Sequence, residues 1–182
     1  MITLVTGPAR SGKSEWAEQL ATESSLPVIY LATAQEDPQD PDWQARLAAH
    51  RQRRPSHWQT WAIPTQISQA LQDLDQPACI LVDSLGTWVA NQLDQSEAEW
   101  QSVQTEFLSV LGQCTTPVIL VAEETGWGVI PAYPLGRQFR DRLGVLIRQV
   151  GALADEVYLV TGGYALPLSQ WGQPLKPKNL IN

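Results

Sequence analysis

Five short apolar runs punctuate the chain: Ile2–Thr6, Val28–Ala32, Ala78–Val82, Val118–Ala122 and Val157–Thr161. Each has the length of a strand and none alternates strictly with polar residues, the pattern of strands covered on both faces. The stretches between them carry helical spacing. At about 100° per residue Trp43, Leu47, His50 and Arg54 share one face, with Asp40-Pro41 as N-cap and first helical residue and Pro55 just past the end. Alternation of strand and helix predicts an α/β fold with a mostly parallel sheet flanked by helices. Right-handed crossovers gather the carboxyl ends of such strands along one edge, so chemistry is expected just after strands. Gly7, Thr33, Asp83, Glu123-Glu124 and Gly162-Gly163 stand there. The polar run Gln92 to Gln104 reads as the exposed face of a helix and its lead-in loop.

Composition narrows the function. A length of 182 residues suits one domain across 1–182, with an extended tail expected from about 170 to 182. A net charge of −7 disfavours nucleic acid as a partner, so a basic site has to be local, and Arg46, Arg51, Arg53 and Arg54 do cluster. No apolar stretch approaches the roughly 20 residues of a membrane span, and the N-terminus enters a strand without a leader-like segment, which predicts a cytoplasmic protein. Cys79 and Cys114 lack disulfide or zinc spacing and are expected to be reduced, structural residues. His57, after Pro55, is expected on a surface loop. Of eight tryptophans most are expected in the core, with Trp127, between two glycines, a candidate substrate wall.

The most specific local signal is Gly7-Pro8-Ala9-Arg10-Ser11-Gly12-Lys13-Ser14, a phosphate-binding loop (P-loop) of the form G-x-x-x-x-G-K-S between a strand and a helical segment. Backbone N–H groups of such a turn and of the helix start point at phosphate oxygens. Lys13 would neutralise the β- and γ-phosphates and Ser14 would hold Mg²⁺. The third strand ends in Asp83, whose carboxylate in this context reads as a further Mg²⁺ ligand, although Asp also ends strands as a turn residue. The chain is therefore expected to handle a nucleoside triphosphate. Spacing alone leaves His50 open between a structural histidine and a site residue.

Several segments in order resemble one family. The P-loop, Tyr30-Leu31-Ala32-Thr33-Ala34-Gln35, the helix ending His50-Arg51-Gln52-Arg53-Arg54-Pro55, and Trp58-Gln59-Thr60 are similar to the adenosylcobinamide kinase / adenosylcobinamide-phosphate guanylyltransferase family. Val82-Asp83-Ser84-Leu85, Glu124 to Pro131, Arg137 to Asp141 and Ala154 to Tyr158 look like its later blocks, so the likeness spans nearly the whole chain. It implies a P-loop NTPase fold of the RecA-like kind and a bifunctional enzyme of cobalamin assembly. One activity phosphorylates the aminopropanol hydroxyl of adenosylcobinamide with GTP or ATP. The other transfers GMP from GTP onto that phosphate, with the residue matching His50 carrying the GMP as a phosphoramidate. By the same resemblance Lys13 acts with His50 in catalysis; the P-loop, Thr33, Ala34, Arg51, Gln52, Arg53, Arg54 and Asp83 contact nucleotide; Ser14 and Asp83 hold Mg²⁺; and the assembly is a homotrimer.

The chain departs from the family pattern at some positions. Trp61-Ala62-Ile63-Pro64 stands where an acid that helps hold guanine is usual, Glu123 replaces an Asn, and Asp83 is followed by Ser84-Leu85-Gly86-Thr87-Trp88. Two other readings are compatible with the residues: a kinase without nucleotidylation, and a nucleotide-gated binding module.

Overall fold

A computed structural model describes residues 1–175. Seven strands form one sheet: β1 (Ile2–Gly7), β2 (Val28–Ala32), β3 (Gln59–Ala62), β4 (Cys79–Asp83), β5 (Val118–Glu123), β6 (Glu156–Thr161) and β7 (Tyr164–Pro167). Their spatial order is β3-β2-β4-β5-β1-β6-β7, and all pairs are parallel except β6 with β7. The five anticipated strands are all present, displaced by no more than a residue at either end.

The near-continuous apolar runs are explained by the two cores they feed. Successive side chains of a strand point to opposite faces. Leu4, Ile29, Leu31, Ile80, Val82, Val118 and Leu120 pack into one core with Trp88, Trp100, Phe107, Leu143 and Leu146. Val5, Val28, Tyr30, Cys79, Leu81, Ile119 and Val121 pack into the other with Ala17, Ala21 and Trp58. The first core is covered by α3 (Ile67–Gln72), α4 (Leu85–Ala90), α5 (Glu97–Gln113) and α6 (Pro134–Leu153), and the second by α1 (Lys13–Glu23). No described helix is long and apolar enough to cross a membrane.

α2 (Pro41–Arg53) begins as its capping residues predict: the Asp40 carboxylate accepts from Trp43 N at 2.9 Å, with Pro41 in the first turn. α5 starts with a reciprocal capping box between Ser96 and Glu99. Gln92 and Gln104 correct the expectation of an exposed polar run, because both are buried. Gln104 shares the inward stripe of α5 with Trp100, Phe107 and Leu111. The buried Arg142 of α6 donates to Gln92 O at 3.0 Å and to Gln95 O at 2.8 Å, satisfying carbonyls at the turn between helices.

Two strands were not anticipated. β3 is short, exposed at three of its four residues and without an apolar run of its own, but it pairs in register with β2. β7 folds back on β6 through Gly162 and Gly163, both at positive φ (59° and 83°), so this glycine pair makes a hairpin turn. A short helix, α7 (Leu168–Trp171), follows β7; the rest of the expected tail, 176–182, lies outside the described residues.

Candidate functional site

The carboxyl ends of β1, β2, β4 and β5 meet along one edge of the sheet, and the candidate site is built there. The P-loop joins β1 to α1. A side chain on Gly7 would run into Val160 O and lie 2.6 Å from Ser11 Oγ, and Gly12 sits at φ 93° as the N-cap of α1, so both positions need glycine. Arg10 also adopts a left-handed conformation, at φ 59°. No side chain caps the N-terminus of α1, and Ser11 Oγ is buried with no hydrogen-bond partner. A helix start and an orphaned hydroxyl in a glycine-shaped cradle fit an anion. Pro8 and Ser11 are half-buried and Ala9 and Arg10 exposed, while Lys13, 7% exposed, is the buried cation of the site.

Asp83, the last residue of β4, is the hub. Its Oδ1 accepts from Ser14 Oγ at 3.4 Å, and its Oδ2 accepts from the Tyr30 phenol at 2.7 Å and lies 3.7 Å from His50 Nδ1. Tyr30 is pinned from above by Arg54, whose guanidinium carbon sits 3.5 Å from the ring centroid. Burial, with the neighbouring Asp83 carboxylate second, pushes the Tyr30 phenol well above its usual pKa, so it remains a hydrogen-bond donor.

His50 projects from α2 into this group. Its Nδ1 faces Asp83 and also lies 3.3 Å from Arg53 Nη2. Arg53 in turn reaches Glu15 at 3.0 Å and Glu18 at 3.4 Å, both on α1, and so ties α2 across to the P-loop helix. Glu18, His50 and Asp83 offer ligand atoms within 4.8 Å of one another. Burial raises the Glu18 pKa, opposed first by Arg53. The remaining predicted residues divide. Arg51 pairs with Glu36, Gln52 is exposed on α2, and Arg54 Nη1 reaches Thr60 Oγ1 at 3.5 Å. Ala34 is half-buried just beyond β2. Thr33 is fully buried, and its hydroxyl bonds Ser84 N and Ser84 O at 2.8 Å each and also meets Thr87, so it braces the turn after Asp83.

A cavity of about 430 Å³ opens beside the P-loop, lined by Glu123, Glu124, Gly126, Arg140, Asp141 and Arg148 among others. Gly7 pairs with Glu123 in register, and Glu124 N donates to Gly7 O at 2.9 Å, which fixes the floor of this cavity to the loop. Arg140 donates to Gly126 O at 3.2 Å, and Arg137 to Pro131 O and Ala132 O at 3.0 and 2.7 Å, so the arginines of α6 hold the Gly126–Ala132 segment. Trp127 stands 62% exposed on it. A second cavity, about 490 Å³, lies at the opposite end of the sheet among Leu26, Leu71, Pro77 and Cys114, away from all of these groups. Cys79 and Cys114 are free thiols and His57 is exposed. The sequence reading did not find Tyr30, Glu18 or Glu15 as site residues; a buried tyrosine in a strand gives no signal until its neighbour across the sheet is known to be Asp83.

A family model described as cobinamide kinase / cobinamide phosphate guanyltransferase matches residues 3–168. The chain belongs to that family. It is 38% identical over 177 residues to the bifunctional adenosylcobalamin biosynthesis protein CobP of Pseudomonas aeruginosa, covering 96% of this chain and 100% of the relative. With the bifunctional adenosylcobalamin biosynthesis protein CobU of Escherichia coli it shares 37% identity over 185 residues, covering 92% and 99%. Among solved structures, a Pyrococcus horikoshii OT3 protein superposes with a TM-score of 0.56 at 9% identity, covering 100% of this chain and 93% of that one. A type III secretion system ATPase superposes at 0.50 and 13%, covering 93% and 52%. These two likenesses concern the fold alone. In this chain the P-loop and His50 stand on either side of Asp83 at the carboxyl edge of the sheet.

Proposed function

We propose that this chain phosphorylates adenosylcobinamide with a nucleoside triphosphate and then transfers GMP from GTP to the product through a guanylylated His50. The observation that carries this reading is the position of one carboxylate, Asp83, between the P-loop Ser14 at 3.4 Å and the His50 ring at 3.7 Å. In the first reaction Lys13 and the P-loop amides hold the β- and γ-phosphates while the aminopropanol oxygen bonds to the γ-phosphorus and the bond to the nucleoside diphosphate breaks. Ser14 and Asp83 supply the hydroxyl and carboxylate oxygens that suit Mg²⁺, which when bound would offset phosphate charge.

In the second reaction Asp83 and the donor-only Arg53 compete for Nδ1, at 3.7 and 3.3 Å, and the reactive form is the one in which Asp83 takes the Nδ1 proton as its partner and the lone pair stands on Nε2. Nε2 attacks the α-phosphorus, a P–N bond forms and pyrophosphate leaves. A phosphate oxygen of adenosylcobinamide phosphate then displaces the imidazole. Arg53, held by Glu15 and Glu18, and Arg54, held over Tyr30, stand on the side of α2 where phosphoryl charge would develop. Thr33 acts through Ser84 as a brace for Asp83. We also read the enzyme as cytoplasmic and as a homotrimer, by likeness to its family.

The test is incubation of the purified protein with GTP labelled at the α- or the γ-phosphate, with and without adenosylcobinamide. Acid-labile retention of the α label on protein, and γ label in adenosylcobinamide phosphate, are expected. γ transfer without α retention would leave a kinase alone, and neither would overturn the reading.

A further inference from the structure

Two side chains contend for one ring nitrogen of His50, and the imidazole satisfies them in opposite ways. The Asp83 carboxylate, its Oδ2 3.7 Å from Nδ1, accepts a hydrogen from that nitrogen. Arg53 Nη2 lies 3.3 Å from the same nitrogen and can only donate to it. A neutral imidazole carries one N–H and one lone pair. While Arg53 donates, the lone pair stands on Nδ1 and the hydrogen on Nε2, so Nε2 has no pair with which to attack phosphorus. Once Arg53 withdraws, the hydrogen is free to stand on Nδ1, towards Asp83, and Nε2 becomes the nucleophile.

Arg53 is held on His50 from α1. Its Nη1 reaches Glu15 Oε1 at 3.0 Å and its Nη2 reaches Glu18 Oε1 at 3.4 Å, so one guanidinium spans two carboxylates a helical turn apart and the imidazole as well. Glu15 stands in the first turn of α1, and its other oxygen, Oε2, comes within 3.8 Å of the place that a Cβ on Gly12 would take. The anchor of Arg53 therefore lies against the P-loop itself. An anion settling there meets Glu15 as a like charge and Arg53 as an opposite one, and phosphoryl oxygens match the guanidinium fork as well as carboxylates do. The Arg53 side chain is 37% exposed, which leaves the fork room to change partners.

We propose that Arg53 is the positioning residue that decides when His50 is a nucleophile. Without nucleotide it keeps Nδ1 an acceptor and the histidine inert; a triphosphate at the P-loop draws it off Nδ1 and leaves the lone pair on Nε2. One proton leaves Nε2 and one reaches Nδ1 through solvent, so the exchange changes no net charge. His50 is then armed only while the P-loop is filled.

The test reads the tautomer from the ¹⁵N resonances of the two imidazoles, His50 and His57, in histidine-labelled protein, with His50→Ala to assign them. Spectra are taken at about pH 8, where histidine is ordinarily neutral. In the nucleotide-free wild type, Nδ1 of His50 is expected at the position of an unprotonated nitrogen and Nε2 at that of an N–H. Saturation with Mg²⁺ and a GTP analogue carrying a methylene bridge between the α- and β-phosphorus, which cannot lose pyrophosphate, is expected to interchange the two. Arg53→Met, which has no donor, is expected to show the interchanged pattern without nucleotide. A protonated Nδ1 in the free wild type, a pattern unmoved by the analogue, or an unchanged pattern in folded Arg53→Met would each overturn the proposal; the wild-type spectra decide it even where the variant does not fold. The inference rests on the proposed covalent role of His50, and the two fail separately. Protein that retains no α label from GTP while its resonances still interchange loses the covalent role and keeps the exchange at Arg53.

Discussion

Tyr30 donates its phenolic hydrogen to Asp83 Oδ2 at 2.7 Å, across the parallel pairing of β2 with β4. The phenol is 2% exposed and roofed by Arg54, so the bond is protected from water. Asp83 is then held from two sides, by Tyr30 at one oxygen and Ser14 at the other, and its orientation towards His50 follows from both. Tyr30→Phe removes one hydrogen bond to a charged group and leaves the ring packing in place. It is expected to lower unfolding free energy by about 1.5–3 kcal/mol, read from urea midpoints, and to slow both phosphoryl and guanylyl transfer. Unaltered rates would mean that Ser14 and the Thr33–Ser84 brace position Asp83 without Tyr30.

His50→Ala is expected to abolish transfer of the α label to protein and the formation of adenosylcobinamide-GDP, while adenosylcobinamide phosphate still accumulates. Only the second reaction needs a covalent carrier. Lys13→Ala provides the contrast, because both reactions need the triphosphate held; each rate is expected to fall on the order of 10²–10⁴-fold. Steady-state assays of the two products in both variants decide the matter, and loss of both activities in His50→Ala would place the histidine in general nucleotide binding.

By likeness to the family, the end of β3 is the side of the site proposed to read the base, and here it carries no acid. Trp61 packs half-buried against the core from β3, and Ala62 beside it is exposed, so neither offers a carboxylate to the N1–H and N2 amino donors of guanine. A site without that acceptor discriminates less between bases. Ala62→Glu is expected to raise the ratio of kcat/KM for GTP over ATP relative to the wild type. An unchanged ratio would show that this strand end does not read the base.

Burial lifts the pKa of Glu123, and Glu18 and Glu124 are shifted in the same direction by the same cause. A carboxyl whose folded-state pKa is raised binds its proton more tightly in the native chain than in the unfolded one. Its stabilising contribution is complete below the ordinary carboxylate range and is lost as pH rises through the elevated native value. Glu123→Gln carries no such charge. It is therefore expected to be more stable than wild type at neutral pH, with the difference shrinking as pH falls towards the ordinary carboxylate range. Urea midpoints for both proteins across that range test this, and a difference that does not vary with pH would count against it.

Much of this protein was legible in its sequence because the signals are local. A P-loop needs one glycine where a side chain would collide, another at positive φ, and a Lys-Ser pair at fixed spacing; a buried parallel strand needs an unbroken apolar run; an Asp-Pro marks a helix start. Those requirements are met within a few residues of chain, so the five main strands, the start of α2 and the residues at the strand ends could be named in advance. What the tertiary structure alone decided depends on pairs far apart in sequence. Tyr30 reaches Asp83 only because β2 lies beside β4, and Glu123 comes level with Gly7 of the P-loop only because β5 is inserted between β4 and β1. β3 and the buried Gln104 followed the same logic: their neighbours, not their own residues, determined what they became. Gly162-Gly163 marked the end of a strand in the sequence, and only the pairing of β7 with β6 made it a hairpin turn, since positive φ serves a tight turn as readily as a phosphate cradle.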